Sequence, residues 1–281
     1  MPLKIALTAD PEVAVPPTHY GGIERIVDML VRGLVTRGHD VTLFANRESK
    51  VPCRLLPYPC STSTSRTGAV RNMLLVSDSI ATNDFDVVHS FGRLAYLLPV
   101  LPTAVPKIMS YQRPIAPNSV EWGMRLSRGS LHITGCSRFL MTPFLGRPRC
   151  HVVYNGVPSQ LYRFQESVSG DAPLVFLGRV EEIKGPHLAI DVAERTGRRL
   201  IIAGGVPDEP KHRAFFDQAV RPRLDGDRIQ HIGPVNDAQK NQLLGQAAAF
   251  LMPILWDEPF GIVMAEALAG ATTANPSGLV M

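Results

Sequence analysis

The sequence of 281 residues has few cysteines, few aromatic residues and no long apolar run. The spacings of its four cysteines, Cys53, Cys60, Cys136 and Cys150, match neither a CxxC metal pair nor a compact disulfide framework, so we expect reduced thiols. No stretch is apolar over the length that a transmembrane helix needs, and the first residues lack the long apolar region of a signal peptide. These absences argue against a disulfide scaffold and an integral membrane protein, and they predict a soluble, cytoplasmic one.

The charge is mildly basic, with a formal net charge of +4 and a pI of about 9.0. Lysine and arginine are scattered without interleaved aromatic residues, so the sequence does not predict nucleic-acid binding. An anionic small molecule and a peripheral contact with a membrane surface both remain open. The sequence also lacks a GxGxxG fingerprint and a Walker A lysine, which weighs against nicotinamide and P-loop chemistry.

Alternating apolar runs and amphipathic stretches predict an α/β fold with parallel sheets. Because 281 residues exceed the usual size of a single core, we expect two Rossmann-like domains, covering residues 1–164 and 173–281, with a polar linker at 165–172. The predicted strands are 4–7, 41–44, 87–89, 108–111, 132–134, 152–154, 174–177, 200–203, 228–232 and 249–252. The clearest predicted helices are 23–35, 186–195, 209–224, 237–247 and one that opens near Gly261. Two such domains would face a ligand cleft at the carboxyl ends of their strands.

Gly21 and Gly22 lie between the first predicted strand and the first helix. Glycines at a helix start let a ligand approach free backbone N–H groups, where the helix dipole favours a phosphate. A tight turn that serves only the fold explains the same pair, so the two interpretations stay open.

Arg179 and Lys184 follow the first strand of the second half within one loop. A guanidinium and an ammonium together suit a diphosphate whose negative charge grows as it departs. The alternative is a solvated surface in which these cations pair with Glu181 and Glu182.

Glu258 lies in the loop after the last predicted strand, and Glu266 lies about a turn and a half into the following helix. Carboxylates accept paired hydrogen bonds from neighbouring hydroxyls, so each could hold a sugar ring. Between them, Phe260, Gly261 and Ile262 present backbone N–H groups at the helix start. The alternative is that Glu258 is an acid that favours the first turn of the helix and that Glu266 is a solvated helix position. However, the glycine loop, the loop of Arg179 and Lys184 and the loop of the glutamates all fall at predicted carboxyl ends of strands.

Several segments resemble the retaining glycosyltransferases of family 4, over nearly the whole chain. They read PPTHYGGIERIVDMLVRGLVTRGHDVTLFA, NGV, FLGRVEEIKGPHLAI, LIIAGG and EPFGIVMAEALA. The resemblance implies the GT-B fold, with the nucleotide sugar bound mainly by the C-terminal domain. It implies that Glu258 holds the hydroxyls of the donor sugar, that Glu266 holds those of the ribose, and that Arg179 and Lys184 bind phosphate. Gly22 matches the N-terminal loop that approaches the diphosphate.

His89 matches a family histidine at the end of an N-domain strand, near the transferred sugar. The resemblance implies that it positions the substrate, whereas a histidine buried for packing is the alternative. The implied catalytic set is His89, Arg179, Lys184 and Glu258. The implied reaction moves a hexose from a UDP-, GDP- or ADP-linked donor to a hydroxyl acceptor with retained configuration. No metal and no cofactor are expected, because the cations and N–H groups supply the positive field.

The end of the sequence, GATTANPSGLVM, departs from the family and shows no clear strand. We therefore expect a shortened C-terminal domain, in either a truncated variant or a reduced enzyme with weakened activity. An exposed sheet edge would favour a homo-oligomer. A nucleotide-sugar epimerase, a phosphorylase and a non-catalytic nucleotide-binding protein are the alternative functions.

Overall fold

The computed structural model describes residues 1–19, 21–162 and 167–270, and the backbone of residues 279–280. The chain divides into two compact units, Met1–Asn155 and Gly156–Met281. The linker predicted at residues 165–172 begins outside the described residues. The predicted domain limits therefore stay a prediction.

The first unit alternates strands and helices along most of its length. Its elements are β1 (Lys4–Thr8), α1 (Gly22–Thr36), β2 (Asp40–Ala45), β3 (Arg54–Pro57), α2 (Arg66–Thr82), β4 (Val87–Ser90), β5 (Lys107–Tyr111), α3 (Pro117–Leu126), β6 (Leu131–Gly135), α4 (Arg138–Met141) and β7 (Cys150–Val152). Buried residues follow one another along β1 and β2 instead of alternating, as in parallel strands that are covered on both faces.

The described strands of the first unit form one parallel sheet in the order β3-β2-β1-β4-β5-β6-β7. The chain runs outward from β1 to β3 and then returns to β4 on the other side of β1. This reversal creates a topological switch point between β1 and β4, where the loops at the carboxyl ends leave room for a ligand. Both the glycine loop after β1 and His89 on β4 lie at this end of the sheet.

The second unit repeats the same rhythm. Its elements are β8 (Leu174–Leu177), α5 (Pro186–Thr196), β9 (Leu200–Ala203), α6 (Pro210–Phe215), β10 (Ile229–Gly233), α7 (Asp237–Gln246), β11 (Ala249–Leu251), α8 (Ile262–Gly270) and β12 (Leu279–Val280). Its described strands form a parallel sheet in the order β10-β9-β8-β11-β12. The switch point lies between β8 and β11, the two strands that lead into the loops of Arg179, Lys184 and Glu258.

The predicted α/β class with parallel sheets is confirmed, and three local predictions are corrected. The strand predicted at 152–154 lies two residues earlier, as β7. The helix predicted over 209–224 is α6, followed by a π-helical turn, Phe216–Val220, and a 3₁₀ turn, Arg221–Arg223, because Pro222 cannot continue an α-helical ladder. The tail was expected to show no clear strand, but the backbone of Leu279–Val280 pairs with β11.

No helix among the described residues is both long enough and apolar enough to cross a membrane.

Candidate functional site

The loop after β8 holds Arg179 against a buried carboxylate. The guanidinium of Arg179 lies 2.7 Å from Oε1 of Glu181, whose side chain is only 3% exposed. Nε2 of His212 lies 3.6 Å from the other carboxylate oxygen of Glu181. The pairing of Arg179 with Glu181 that the alternative predicts is therefore present, but Glu181 is buried and not solvated, whereas Glu182 is exposed. This ion pair places the guanidinium beside a buried carboxylate at the end of the strand.

Lys184 and Glu258 meet at the switch point, although 74 residues separate them in the sequence. Nζ of Lys184 lies 2.5 Å from Oε2 of Glu258, and the two side chains are 14% and 19% exposed. The indole N–H of Trp256 donates to the same carboxylate oxygen at 3.0 Å. Nζ of Lys184 also lies 4.7 Å from the centre of the Trp256 ring, within cation–π range. The structure thus brings a predicted phosphate ligand and a predicted sugar ligand into direct contact.

The loops after β8 and β11 are joined by backbone contacts. The amide of Leu255 donates to the carbonyl of Ile183 at 2.8 Å. Gly185 ends the turn with φ +73°, and a Cβ on it would lie 1.9 Å from the carbonyl oxygen of Pro253. Only glycine combines a left-handed conformation with this close approach. These contacts hold Lys184 and Glu258 on adjacent segments that are joined through their backbones.

The helix α8 starts directly after this joined region. Gly261 has φ +77°, and its carbonyl accepts the amides of Met264 and Ala265 at 2.9 and 3.3 Å. The first intrahelical hydrogen bond comes from the amide of Met264. The amides before it have no intrahelical partner and point out of the helix end, where an anion or a sugar oxygen can accept from them. Phe260 and Ile262, on either side of Gly261, are half-buried. The local geometry suits the ligand contacts predicted for residues 260–262.

Glu266 lies one turn inside α8 and is 3% exposed. The ammonium of Lys240, on α7, forms an ion pair with Oε1 of Glu266. The hydroxyl of Tyr162 donates to the same oxygen at 2.8 Å. The alternative of a solvated helix position is therefore wrong for Glu266. The described contacts of Glu266 are with Lys240 and Tyr162, and those of Glu258 are with Lys184 and Trp256.

In the first unit, the glycine loop contains a carboxylate of its own. Gly22 is the first residue of α1, and Gly21 has φ +154°. A Cβ on Gly21 would lie 2.9 Å from Oε2 of Glu24, which is buried in the first turn of the helix. Burial raises the pKa of Glu24, while a hydrogen bond from its own backbone N–H opposes that shift. A side chain of the protein therefore lies at the helix start where the sequence predicts a phosphate.

His89 lies near the carboxyl end of β4 within a row of hydroxyl groups. Its Nε2 lies 2.7 Å from Oγ of Ser110, which in turn lies 2.6 Å from Oγ1 of Thr134. Its ring stacks on that of Phe91, with the centres 4.5 Å apart. Burial lowers the pKa of His89 to about 4, so the imidazole is neutral at physiological pH. A neutral imidazole that is held in this way suits the positioning of a substrate better than a role that requires a positive charge.

We predict that His89 does not titrate between pH 5 and pH 8. The unfolded chain takes up a proton near pH 6.5 and the folded chain near pH 4, so folding stability falls as the pH is lowered between these values, by about 2 to 3 kcal/mol. Histidine NMR signals measured against pH test the first statement, and urea denaturation beside a His89→Gln variant tests the second. A His89 signal that shifts with a midpoint above pH 6 would contradict both.

Several polar residues at these sites were not predicted from the sequence. Lys240 and Tyr162 contact Glu266, and Trp256 contacts Glu258. In the first unit, Asp10 is buried after β1 and binds the guanidinium of Arg113 at 2.8 Å. Trp256 lies two residues before Glu258, and Asp10 follows the end of the first predicted strand, so both could have been found from the sequence. Lys240 and Tyr162 lie 26 and 104 residues from Glu266, so no local pattern could have found them.

Among residues 1–19, 21–162 and 167–270, no group of three or more His, Cys, Asp or Glu side chains is arranged to hold a metal ion.

Two α/β units with parallel sheets and polar residues at the switch points are features of the GT-B glycosyltransferases. The family model "Glycosyltransferase Family 4" matches residues 20–161, about half of the chain, and the model "Glycosyl transferases group 1" matches residues 159–273. The chain belongs to glycosyltransferase family 4.

Known relatives agree with this assignment. A phosphatidyl-myo-inositol mannosyltransferase of Mycobacterium tuberculosis is 24% identical over 294 residues, which cover 92% of this chain and 74% of the relative. The crystal structure of AviGT4, a glycosyltransferase involved in avilamycin A biosynthesis, superposes with a TM-score of 0.69 at 27% identity, over 96% of this chain and 77% of that one. The Anabaena protein Alr3699/HepE, solved in complex with UDP-glucose, shares the fold, with a TM-score of 0.68 at 16% identity over 95% of this chain and 78% of that one.

Proposed function

We propose that this glycosyltransferase moves a hexose from a nucleotide-diphosphate donor to an acceptor hydroxyl with retention of anomeric configuration. The observation that carries the proposal is the contact between Lys184 and Glu258 at the switch point of the second unit, directly before the start of α8. The cation suits the diphosphate and the carboxylate suits neighbouring hydroxyls of the sugar. The backbone N–H groups at the start of α8 suit further phosphate or sugar oxygens.

The chemistry assigned to the second unit is electrostatic. Arg179 and Lys184 bind the diphosphate and stabilise the negative charge that develops as it leaves. Glu258 accepts hydrogen bonds from the hydroxyls of the transferred sugar, and Glu266 accepts them from the ribose. Since Lys184 and Glu258 already neutralise each other, donor binding exchanges one ion pair for a cation–phosphate contact and a carboxylate–diol contact.

The acceptor belongs, in this proposal, to the first unit. His89 is neutral and is held by Ser110, so it positions a hydroxyl group without adding charge. Gly21 and Gly22 keep their proposed role of offering backbone N–H groups to a phosphate, with the condition that the carboxylate of Glu24 turns aside or carries a proton there. The proposal includes a UDP-, GDP- or ADP-linked donor, a hydroxyl acceptor and a cytoplasmic location.

We predict that transfer needs no added metal ion. Arg179 and Lys184 supply the positive charge that a divalent cation provides in metal-dependent transferases. Dialysis against EDTA is expected to leave the initial rate unchanged, measured as nucleoside diphosphate released. A loss of activity that Mg²⁺ or Mn²⁺ restores would contradict this prediction.

The function itself is tested with UDP-, GDP- and ADP-glucose, each offered with a panel of hydroxyl acceptors. We expect one donor to give acceptor-dependent transfer, and NMR of the product to show the anomeric configuration of the donor. An epimerase would act without an acceptor, and a phosphorylase would require inorganic phosphate. Either of those results would replace the proposed function, and an inverted product would remove the retaining mechanism alone.

A further inference from the structure

Glu266 is held by two residues that no motif of the sequence links to it. The ammonium of Lys240 and the hydroxyl of Tyr162 both contact its Oε1 atom. Lys240 and Glu266 are both buried, so this carboxylate has little access to water. A buried carboxylate needs partners of this kind to remain charged, and two partners on one oxygen also fix the plane of the group.

The neighbouring structure fixes both partners. The α7 helix that carries Lys240 begins with a capping box in which Asn236 and Gln239 exchange side-chain and backbone hydrogen bonds. Asn241, which follows Lys240 in the sequence, donates from its side-chain amide to the carbonyl of Leu161 at 2.7 Å. This bond attaches the segment of Tyr162 to the same helix. Two side chains from different parts of the chain are therefore anchored together around one carboxylate.

Both contacts are made by Oε1, so they set the orientation of the whole carboxylate group. We infer that Lys240 and Tyr162 are positioning residues that hold Glu266 ready to recognise the hydroxyls of a nucleotide ribose. This inference rests on the proposed function, because it assumes that Glu266 binds the ribose. It adds that ribose recognition depends on residues that do not themselves touch the ligand.

A purely structural role is the competing explanation. Lys240 also contacts Asp237 at 3.1 Å, and buried ion pairs between helices can serve packing alone. A structural role predicts a loss of stability that is the same for every ligand. A positioning role predicts a loss of affinity that appears only when the ligand carries ribose hydroxyls.

The experiment compares the affinities of UDP, GDP and ADP with those of their 2′,3′-dideoxy forms by calorimetry. Variants Lys240→Met, Lys240→Arg, Tyr162→Phe, Glu266→Gln and the double variant Lys240→Met with Glu266→Gln are measured beside the wild type. Lys211→Met is the matched control, because that lysine is 74% exposed on α6. Asp237→Asn tests the other ion pair of Lys240.

We expect Glu266→Gln to weaken binding of the preferred ribonucleotide about tenfold or more, and Lys240→Met to weaken it by a similar factor, as for hydrogen bonds to charged groups. Tyr162→Phe should weaken binding of the ribonucleotide about threefold. Lys240→Arg should bind it more tightly than Lys240→Met does. Affinity for the dideoxy form should change little in every variant. The double variant should lose no more than Glu266→Gln alone, since the residues act as one unit.

Two results would overturn the inference, and they can be told apart from failure of the proposed function. If Glu266→Gln loses ribose discrimination while Lys240→Met and Tyr162→Phe keep it, the positioning role is wrong and the donor site stands. If Glu266→Gln itself binds every ribonucleotide like the wild type, the assigned donor site is wrong. Should Lys240→Met fail to fold, Tyr162→Phe decides the question, because it removes a single hydroxyl group.

Discussion

Replacing Glu258 with glutamine is expected to lower kcat for sugar transfer by about 10² to 10³, the range found when one group that stabilises a transition state is removed. The carboxylate of Glu258 is held by Lys184 at 2.5 Å and by the indole of Trp256 at 3.0 Å, so it is fixed before the donor arrives. Glutamine keeps the size and one acceptor oxygen of the side chain. It loses the charge that pairs with Lys184 and strengthens hydrogen bonds from the sugar hydroxyls.

The same variant should bind the free nucleoside diphosphate at least as tightly as the wild type. Without Glu258, the charge of Lys184 is no longer neutralised and is fully available to phosphate. The expected signature is therefore a loss of transfer with retained diphosphate binding, whereas Lys184→Met should lose both. Initial rates and calorimetry on the same preparations measure the two quantities.

Glu182→Gln provides the control for this comparison, since Glu182 is an exposed acid in the loop of Lys184. Its kcat and diphosphate affinity should equal those of the wild type. A folded Glu258→Gln enzyme that transfers sugar at the wild-type rate would remove Glu258 from the donor site. A variant that loses diphosphate binding as well would show that the carboxylate supports the loop and not the sugar.

The sequence was most informative for polar residues that directly follow strands. Arg179, Lys184 and Glu258 could be assigned to one region because parallel strands place their following loops at one edge of the sheet. The sequence could not show that Lys184 and Glu258 touch each other, which depends on β8 and β11 being neighbours. The order of strands in a sheet cannot be deduced from the local hydrophobic periodicity, so this contact could not be predicted.

The residues that the sequence did not reveal are those whose partners come from elsewhere in the chain. Lys240 reads as an ordinary polar residue of a helix, and its burial against Glu266 appears only when α7 and α8 pack together. The sequence assigned no role to Glu24, whose carboxyl group is buried in the first turn of α1 and has a raised pKa for that reason. In both cases tertiary packing, and not the local pattern, sets the chemistry of the side chain.

Replacing Gly185 with alanine is expected to destabilise the second unit by about 3 kcal/mol or more, because two costs combine. The backbone at φ +73° disfavours any residue with a Cβ by about 1 to 2 kcal/mol. The added methyl group would also lie 1.9 Å from the carbonyl oxygen of Pro253, so the loops after β8 and β11 must move apart. Urea denaturation measures the loss as a lower midpoint.

Gly226→Ala separates these two costs. Gly226 has nearly the same backbone angle, φ +77°, but a Cβ there meets nothing within 4 Å. It should therefore cost only the conformational part, and the difference between the variants reports the collision with Pro253. Equal losses in the two variants would show that the loops yield without resistance.

The separation of the loops should also reach the donor site, since the bond from Leu255 to Ile183 holds Lys184 close to Glu258. We expect folded Gly185→Ala protein, measured well below its denaturation midpoint, to bind nucleoside diphosphate at least tenfold more weakly, as when a cation–phosphate hydrogen bond is lost. Gly226→Ala should bind it normally. Wild-type affinity in Gly185→Ala would mean that the diphosphate site does not depend on the joined loops, and that the contact between Pro253 and Gly185 serves stability alone.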